Sequence, residues 1–201
     1  MKRTIIFLIV SLMNRNRKLI FISLLVAQGV VIGLFENMIP FPFAVAPGAK
    51  LGLANLITMI AIFTMPKKQS FFLVWLRLIL TTLLGGTLST FLYSMSGAML
   101  SYFAMLLVKS LGPKRVSIIG ISAAGGFFHN VGQLLTAAVI AKTWTVMLYL
   151  PMLSLIGILS GIAIGIAANF LLQRVSTLKE FREAYTVEQQ HAASAKFLRN
   201  N

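Results

Sequence analysis

The sequence predicts an all-α integral membrane protein with six transmembrane helices and both termini in the cytoplasm. Of its 201 residues, 58% are hydrophobic and only 11% are charged, whereas soluble domains carry about 25% charged residues. Lysines and arginines fall in alternate gaps between long apolar stretches. Because cytoplasmic loops of membrane proteins are enriched in Lys and Arg, this alternation predicts the orientation as well as the class.

Six apolar segments approach the length of about 20 residues that a helix needs to cross about 30 Å of hydrocarbon. We predict them at about 19–35, 51–65, 70–86, 87–111, 117–141 and 144–172. The second is short. Little polar sequence separates the third from the fourth, so a tight outside turn is expected at Gly85-Gly86.

The distribution of basic residues favours six spans. This layout puts 15 of the 18 Lys and Arg residues on the inside, Lys50 and Lys142 on the outside and Arg77 within the third span. A five-span or seven-span layout breaks this separation. We expect Arg77 about two turns from the cytoplasmic end of its span, where its long side chain can reach the inner surface. An ion pair with Glu36 is not expected, because the two residues are predicted at opposite ends.

The membrane domain, residues 19–172, is flanked by a cytoplasmic or interfacial segment, 1–18, and a cytoplasmic tail, 173–201. The apolar run 4–13 is too short to span and lacks a small-x-small cleavage pattern. It is interpreted as an uncleaved interfacial helix or as an extension of the first span. In the tail, helically spaced apolar residues fit either a short helix on the inner membrane surface or a frayed end.

Composition excludes several functions. The chain has no Cys, so disulfides and thiolate chemistry are absent. It has no Asp and no GxxxxGK[ST] phosphate loop, so neither a magnesium-holding carboxylate cluster nor ATP hydrolysis by that route is expected. We predict no catalytic residue, metal or cofactor. The net charge of +14 is assigned to membrane flanks facing anionic lipid rather than to nucleic-acid binding.

The segment 36–55, ENMIPFPFAVAPGAKLGLAN, predicts a structured loop at the outer face. Its three prolines exclude a regular helix. Non-helical backbone at membrane depth is tolerated where it is buried in protein or lines a cavity. Glu36 and Lys50 both lie in this segment, and they either pair with each other or hold two ends of a polar ligand.

The fifth span carries a polar stripe. His129 and Gln133 are four residues apart and share a helix face, which Thr136 continues. Such groups need partners in hydrocarbon, so the stripe either makes interhelical hydrogen bonds or faces a ligand. The candidate ligand contacts are Glu36, Asn37, Lys50, Asn55, Tyr93, His129, Asn130 and Gln133.

Small residues four apart mark helix surfaces that allow close approach. In the sixth span they are Gly157, Gly161 and Gly165, and in the first they are Ser23 with Ala27 and Gly29 with Gly33. Each set fits either packing within the bundle or docking of a partner membrane subunit. We name Ser23, Ala27, Gly157, Gly161 and Gly165 as candidate docking residues.

Three stretches carry a family resemblance. The segment 36–55, Tyr93-Ser94-Met95-Ser96-Gly97 and His129-Asn130-Val131-Gly132-Gln133 resemble signatures of the Gx transporter family, often labelled "heptaprenyl diphosphate synthase component I". The resemblance covers about residues 19–172. That family is similar to the S components of energy-coupling factor (ECF) vitamin transporters, small six-helix proteins that bind substrate near the outer face under a first-loop lid. S components associate with a transmembrane coupling subunit and two ATPases.

The resemblance implies that 36–50 is the lid loop. It also puts Ser23 and Ala27 where S components carry an Ala-x-x-x-Ala docking pattern, from which Ser23 departs. The function implied is an S component of an ECF-type importer in the cell membrane, with a small-molecule substrate and membrane lipid as further partners. An accessory membrane subunit in isoprenoid or quinone metabolism, or in flavin-linked electron transfer, stays open as the alternative. The "synthase" label agrees poorly with a chain that lacks Asp. The sequence does not indicate the substrate.

Overall fold

The computed structural model describes residues 2–38, 50–175, 177–183, 185–187 and 190. Within these residues the chain is helical and contains no strand, which confirms the all-α class. The helices are α1 (Lys2–Met38), α2 (Asn55–Thr64), α3 (Lys67–Gly85), α4 (Leu88–Ser110), α5 (Ile118–Ile140) and α6 (Leu150–Arg174). A short 3-10 helix, Trp144–Tyr149, leads into α6. Because α1 begins at Lys2, the described part of the N-terminal segment lies in the same helix as the first span.

Five helical stretches are long and apolar enough to cross a membrane: Asn16–Met38, Lys67–Gly85, Leu88–Ser110, Ile118–Ile140 and Trp144–Arg174. They support the predicted membrane class. The sixth predicted span, α2, has only 10 residues and rises about 15 Å, half of the hydrocarbon thickness. The count of six full-length spans is therefore not confirmed.

The turn expected at Gly85-Gly86 is present between α3 and α4. Thr87 caps α4, because its side-chain oxygen accepts a hydrogen bond from Thr90 N at 3.2 Å. In return, Thr90 Oγ1 accepts one from Thr87 N at 2.6 Å. This reciprocal capping box satisfies two backbone donors and stops the two apolar helices from merging into one.

Helices α1 and α3 lie side by side and run in the same direction. A Cβ atom placed on Gly29 would lie 2.5 Å from Arg77 Cδ, and one on Gly33 would lie 3.0 Å from Thr81 Cγ2. Residue numbers thus rise together along the two helices. These two glycines therefore pack within the bundle.

The segment from Gly52 through α2 runs antiparallel to α1. Gly52 bonds to Glu36 near the end of α1, and Ile57 lies beside Gly29. At the far end of α2, Met65 packs in the same apolar cluster as Phe21 of α1. The chain thus returns along α1 before α3 begins.

The glycine face of α6 is filled by α5. A Cβ on Gly161 would lie 2.5 Å from the Ser122 carbonyl oxygen, and one on Gly165 would lie 2.7 Å from Ile119 Cα. Gly157 is buried in the same contact. The docking role predicted for these three glycines is wrong for this structure, because the neighbouring backbone leaves no room for a partner helix.

Ser23 and Ala27 have a different environment. Both are exposed on α1, and Leu24 and Val31 beside them are also exposed, at 57% and 65%. This face contacts no other described helix closely and stays open to lipid or to a partner.

We predict that Gly161→Ala lowers the melting temperature of the protein in detergent. Overpacking a close contact costs about 1–3 kcal/mol, more than the roughly 0.5–1 kcal/mol that Ala gains over Gly in a helix. Gly120→Ala is the matched control, since a Cβ there would meet only Ser117 Oγ at 3.6 Å. Thermal unfolding of both variants provides the measurement; equal melting temperatures would contradict the α5–α6 packing.

Candidate functional site

A small polar cavity lies where α1, α3, α4 and α5 meet the segment 50–55. Its polar lining includes Glu36, Lys50, Asn55, Arg77, Ser94 and His129. Its volume is about 20 Å³, and a cavity needs roughly 10–15 Å³ to hold one water molecule. The space between the described residues therefore has room for about one water molecule.

Glu36 fastens the segment that closes the cavity. Its Oε1 atom accepts hydrogen bonds from the backbone N–H groups of Gly52 and Leu53, the latter at 3.0 Å. The carboxylate is only 5% exposed, and hydrogen bonds to a charged acceptor are stronger than neutral ones. Gly52 has φ +82°, and a Cβ there would lie 3.0 Å from both Asn55 Nδ2 and His129 Cδ2. Glycine is thus required for this turn.

Lys50 is held by the polar stripe of α5. Its backbone N–H donates to Gln133 Oε1 at 3.3 Å, and Gln133 Nε2 lies 2.9 Å from His129 Nε2. Burial lowers the pKa of the Lys50 ammonium, the charge of Glu36 raises that pKa, and Arg77 lowers it further. The stripe therefore binds the closing segment as well as lining the cavity.

Glu36 and Lys50 do not form an ion pair. The one ion pair within 4.0 Å in the described part of the chain joins Arg17 to Glu180. Of the two alternatives for Glu36 and Lys50, direct pairing is wrong in this structure. Both side chains instead face the same cavity.

Arg77 departs most from expectation. It was expected to reach the inner surface, far from Glu36, but it is 5% exposed and lines the cavity together with Glu36. The physical reason is Gly29, whose missing side chain leaves room for the Arg77 side chain between α1 and α3. A signal for this role was present, because an ionisable residue inside a span is by default a functional candidate.

Several buried polar atoms at the cavity have no hydrogen-bond partner among the described residues. They are Asn55 Nδ2, Arg77 Nε, Thr81 Oγ1, Ser94 Oγ and His129 Nδ1. Buried polar groups are nearly always hydrogen-bonded, and each one left unpaired costs about 1–3 kcal/mol. The cavity thus presents unused hydrogen-bonding groups that a ligand or water can satisfy.

Four predicted ligand contacts, Asn37, Tyr93, Asn130 and Gln133, do not line the cavity. Gln133 instead bonds to the Lys50 backbone. Asn37 Nδ2 donates to Gly85 O at 3.4 Å, and Asn130 Nδ2 donates to Leu153 O at 2.5 Å, which ties α5 to α6. Tyr93 packs in a separate apolar cluster. Residues 39–49, most of the predicted lid, lie outside the described residues. Lys50, Asn55, Glu36 and His129 line the cavity.

No metal centre is formed by the residues that the structure describes, since they bring together no group of three or more His, Cys, Asp or Glu.

The fold and the site define a helical membrane protein with a closed, polar cavity between four of its helices. The chain belongs to the heptaprenyl diphosphate synthase component I family, whose model matches residues 25–171. The match includes every cavity residue named above and confirms the family that the sequence signatures indicated. A family described as one component of a synthase agrees with the expectation that the chain is not itself an enzyme. No curated protein and no solved structure matches the chain.

We predict that Glu36→Gln loosens the closing segment. The amide is a weaker acceptor than the carboxylate for the Gly52 and Leu53 N–H groups. A Leu53→Cys reporter, clean because the chain has no native Cys, should react with a maleimide about tenfold faster when about 1.4 kcal/mol of the charged hydrogen bonds is lost. Glu180→Gln, a change at an exposed acid, is the control and should leave the rate unchanged. An unaltered rate in Glu36→Gln would contradict the fastening role.

Proposed function

We propose that the chain is the substrate-binding S component of an ECF-type ABC importer in the cell membrane. It captures a small molecule at the outer face beneath the 36–50 loop. The observation that carries the proposal is the small polar cavity with unsatisfied hydrogen-bonding groups, lined in part by the non-helical segment that Glu36 fastens. A chain without an ATP-binding loop needs partner subunits to drive release inward.

The helix directions support six membrane crossings. Since α1 and α3 run parallel, the chain between them must cross back. The segment from Gly52 through α2 makes that crossing. Helix α2 has only 10 residues, and the non-helical turn at Gly52, held by Glu36, adds to the membrane thickness that the segment spans. Helices α4, α5 and α6 follow with short connections. An even number of crossings puts both termini on one side, which the basic residues assign to the cytoplasm.

The exposed face at Ser23 and Ala27 is the proposed docking surface for the coupling subunit. Small residues on a lipid-facing helix let a partner backbone approach closely. The corresponding glycines of α6 are already covered by α5, so the proposal now rests on α1 alone.

The family description favours a second candidate: a non-catalytic membrane component that works with a prenyl diphosphate synthase or a related quinone or flavin enzyme. The name "component I" fits a partner that supplies the chemistry. The chain's lack of Asp removes the magnesium-binding motif that such chemistry needs.

Affinity purification from native membranes distinguishes the two. We expect the tagged full chain, in mild detergent, to recover two ATPases and a coupling membrane subunit. Ala27→Leu should reduce that recovery severalfold, because the larger side chain blocks close helix approach. Ala163→Leu, at an exposed position of α6, is the matched control and should leave recovery intact. Recovery of a prenyltransferase or an oxidoreductase without ATPases would replace the transport proposal by the second candidate.

Topology has its own test. A single cysteine at Thr143→Cys, in the exposed α5–α6 connection, should react with an impermeant maleimide in intact cells. A cysteine at Lys114→Cys, exposed between α4 and α5, should react only after permeabilisation. Labelling of both positions from the same side would refute the proposed orientation.

A further inference from the structure

We infer that the ligand of this cavity carries an anionic acceptor group, a carboxylate or a phosphate, that binds between Arg77 and Lys50. The inference rests on the proposed function only in that the cavity binds a small molecule. It does not depend on which partner subunits join the chain.

The charge of the cavity favours an anion. Arg77 and Lys50 contribute two cations to the lining, and Glu36 contributes the single acid. The Glu36 Oε1 atom already accepts two backbone hydrogen bonds. No other acid is available nearby in the chain, because residues 37–179 contain neither Asp nor Glu. That range includes 39–49, so the remainder of the loop brings no carboxylate of its own.

The lining therefore has two cationic side chains and one carboxylate, so one positive charge has no counter-charge in the cavity. Arg77 is only 5% exposed. Among the described residues the one ion pair within 4.0 Å joins Arg17 to Glu180, so no carboxylate lies that close to Arg77. A buried charge without a counter-ion is costly. An anion from outside the chain removes that cost.

The hydrogen-bonding atoms of the cavity that have no partner are mostly donors. Asn55 Nδ2 and Arg77 Nε are donors only, and the hydroxyl groups of Thr81 and Ser94 can also donate. His129 Nδ1 is a donor as well when His129 Nε2 accepts from Gln133 Nε2. A set of donors selects a group rich in acceptors. The arginine fork matches the geometry of carboxylate and phosphate oxygens.

The cavity is small, and its two cations lie on different elements of the chain. Its volume of about 20 Å³ holds about one water molecule, so a larger ligand needs a wider separation of the lining than this structure shows. Lys50 lies in the segment 50–53, and Arg77 lies on helix α3. An anion held between them therefore contacts two separate elements of the chain.

The test uses the purified full chain in a non-ionic detergent. Its melting temperature is measured by tryptophan fluorescence in sodium phosphate, sodium diphosphate or sodium acetate, each against sodium chloride at equal ionic strength. At a probe concentration a hundred times its dissociation constant, we expect the melting temperature to rise by about 5–10 °C. A rise with phosphate or diphosphate alone indicates a phosphate-bearing ligand, and a rise with acetate alone indicates a carboxylate.

Three variants connect the effect to the cavity. Arg77→Gln should abolish the rise, and Lys50→Gln should reduce it. Lys68→Gln, which removes an exposed charge from the same helix α3, should leave it unchanged. If Arg77→Gln does not fold, Lys50→Gln and Ser94→Ala carry the test. An equal rise in the wild type and in the cavity variants, or no rise with any probe, overturns the inference.

The outcomes separate this inference from the transport proposal. If ATPases co-purify but no anion raises the melting temperature, the transport role is supported and the anionic ligand is refuted. Anion binding lost in the cavity variants, without ATPases, would establish the ligand class and remove the transport role.

Discussion

The hydrogen bonds from the Gly52 and Leu53 N–H groups to Glu36 Oε1 are the constraint on which the rest of the site depends. A short buried helix preceded by non-helical backbone leaves polar N–H groups that hydrocarbon cannot satisfy. The carboxylate at the end of α1 satisfies two of them with charge-assisted bonds. By doing so it sets where α2 begins and puts Asn55 at the cavity wall.

Glycines determine where charged groups fit in this bundle. Gly29 leaves space for the Arg77 side chain between two parallel helices, and Gly52 permits a turn in contact with His129. The glycines of α6 serve another purpose, since they bring α6 against the backbone of α5. A small-residue pattern alone therefore does not distinguish a close helix contact from a pocket for a long side chain.

Hydropathy predicted most of the fold, because it is a local property. The bounds expected for the third to the fifth segments agree with α3 to α5 within a few residues, and the sixth agrees with the 3-10 helix and α6 taken together. The sharing of one face by His129 and Gln133 followed from helix period and is visible in their 2.9 Å contact. The short α2 was also visible in the sequence as a short apolar run. The turn that precedes it was not predicted, because its hydrogen bonds join Gly52 and Leu53 to Glu36 on a different helix.

The position of the Arg77 side chain could not be predicted from the local sequence for a related reason. Periodicity gives the face and the approximate depth of a residue, but the direction of a long side chain depends on which neighbour leaves it space. Once Arg77 is in the cavity, the acid-free stretch 37–179 takes on a different meaning. In a loop facing water, missing acids are of little consequence. In a buried site the missing acids matter, because Arg77 and Lys50 then share a single carboxylate, Glu36, which already accepts two backbone hydrogen bonds. The absence of acids from 37–179 is therefore a property of the cavity as well as of a membrane-spanning composition.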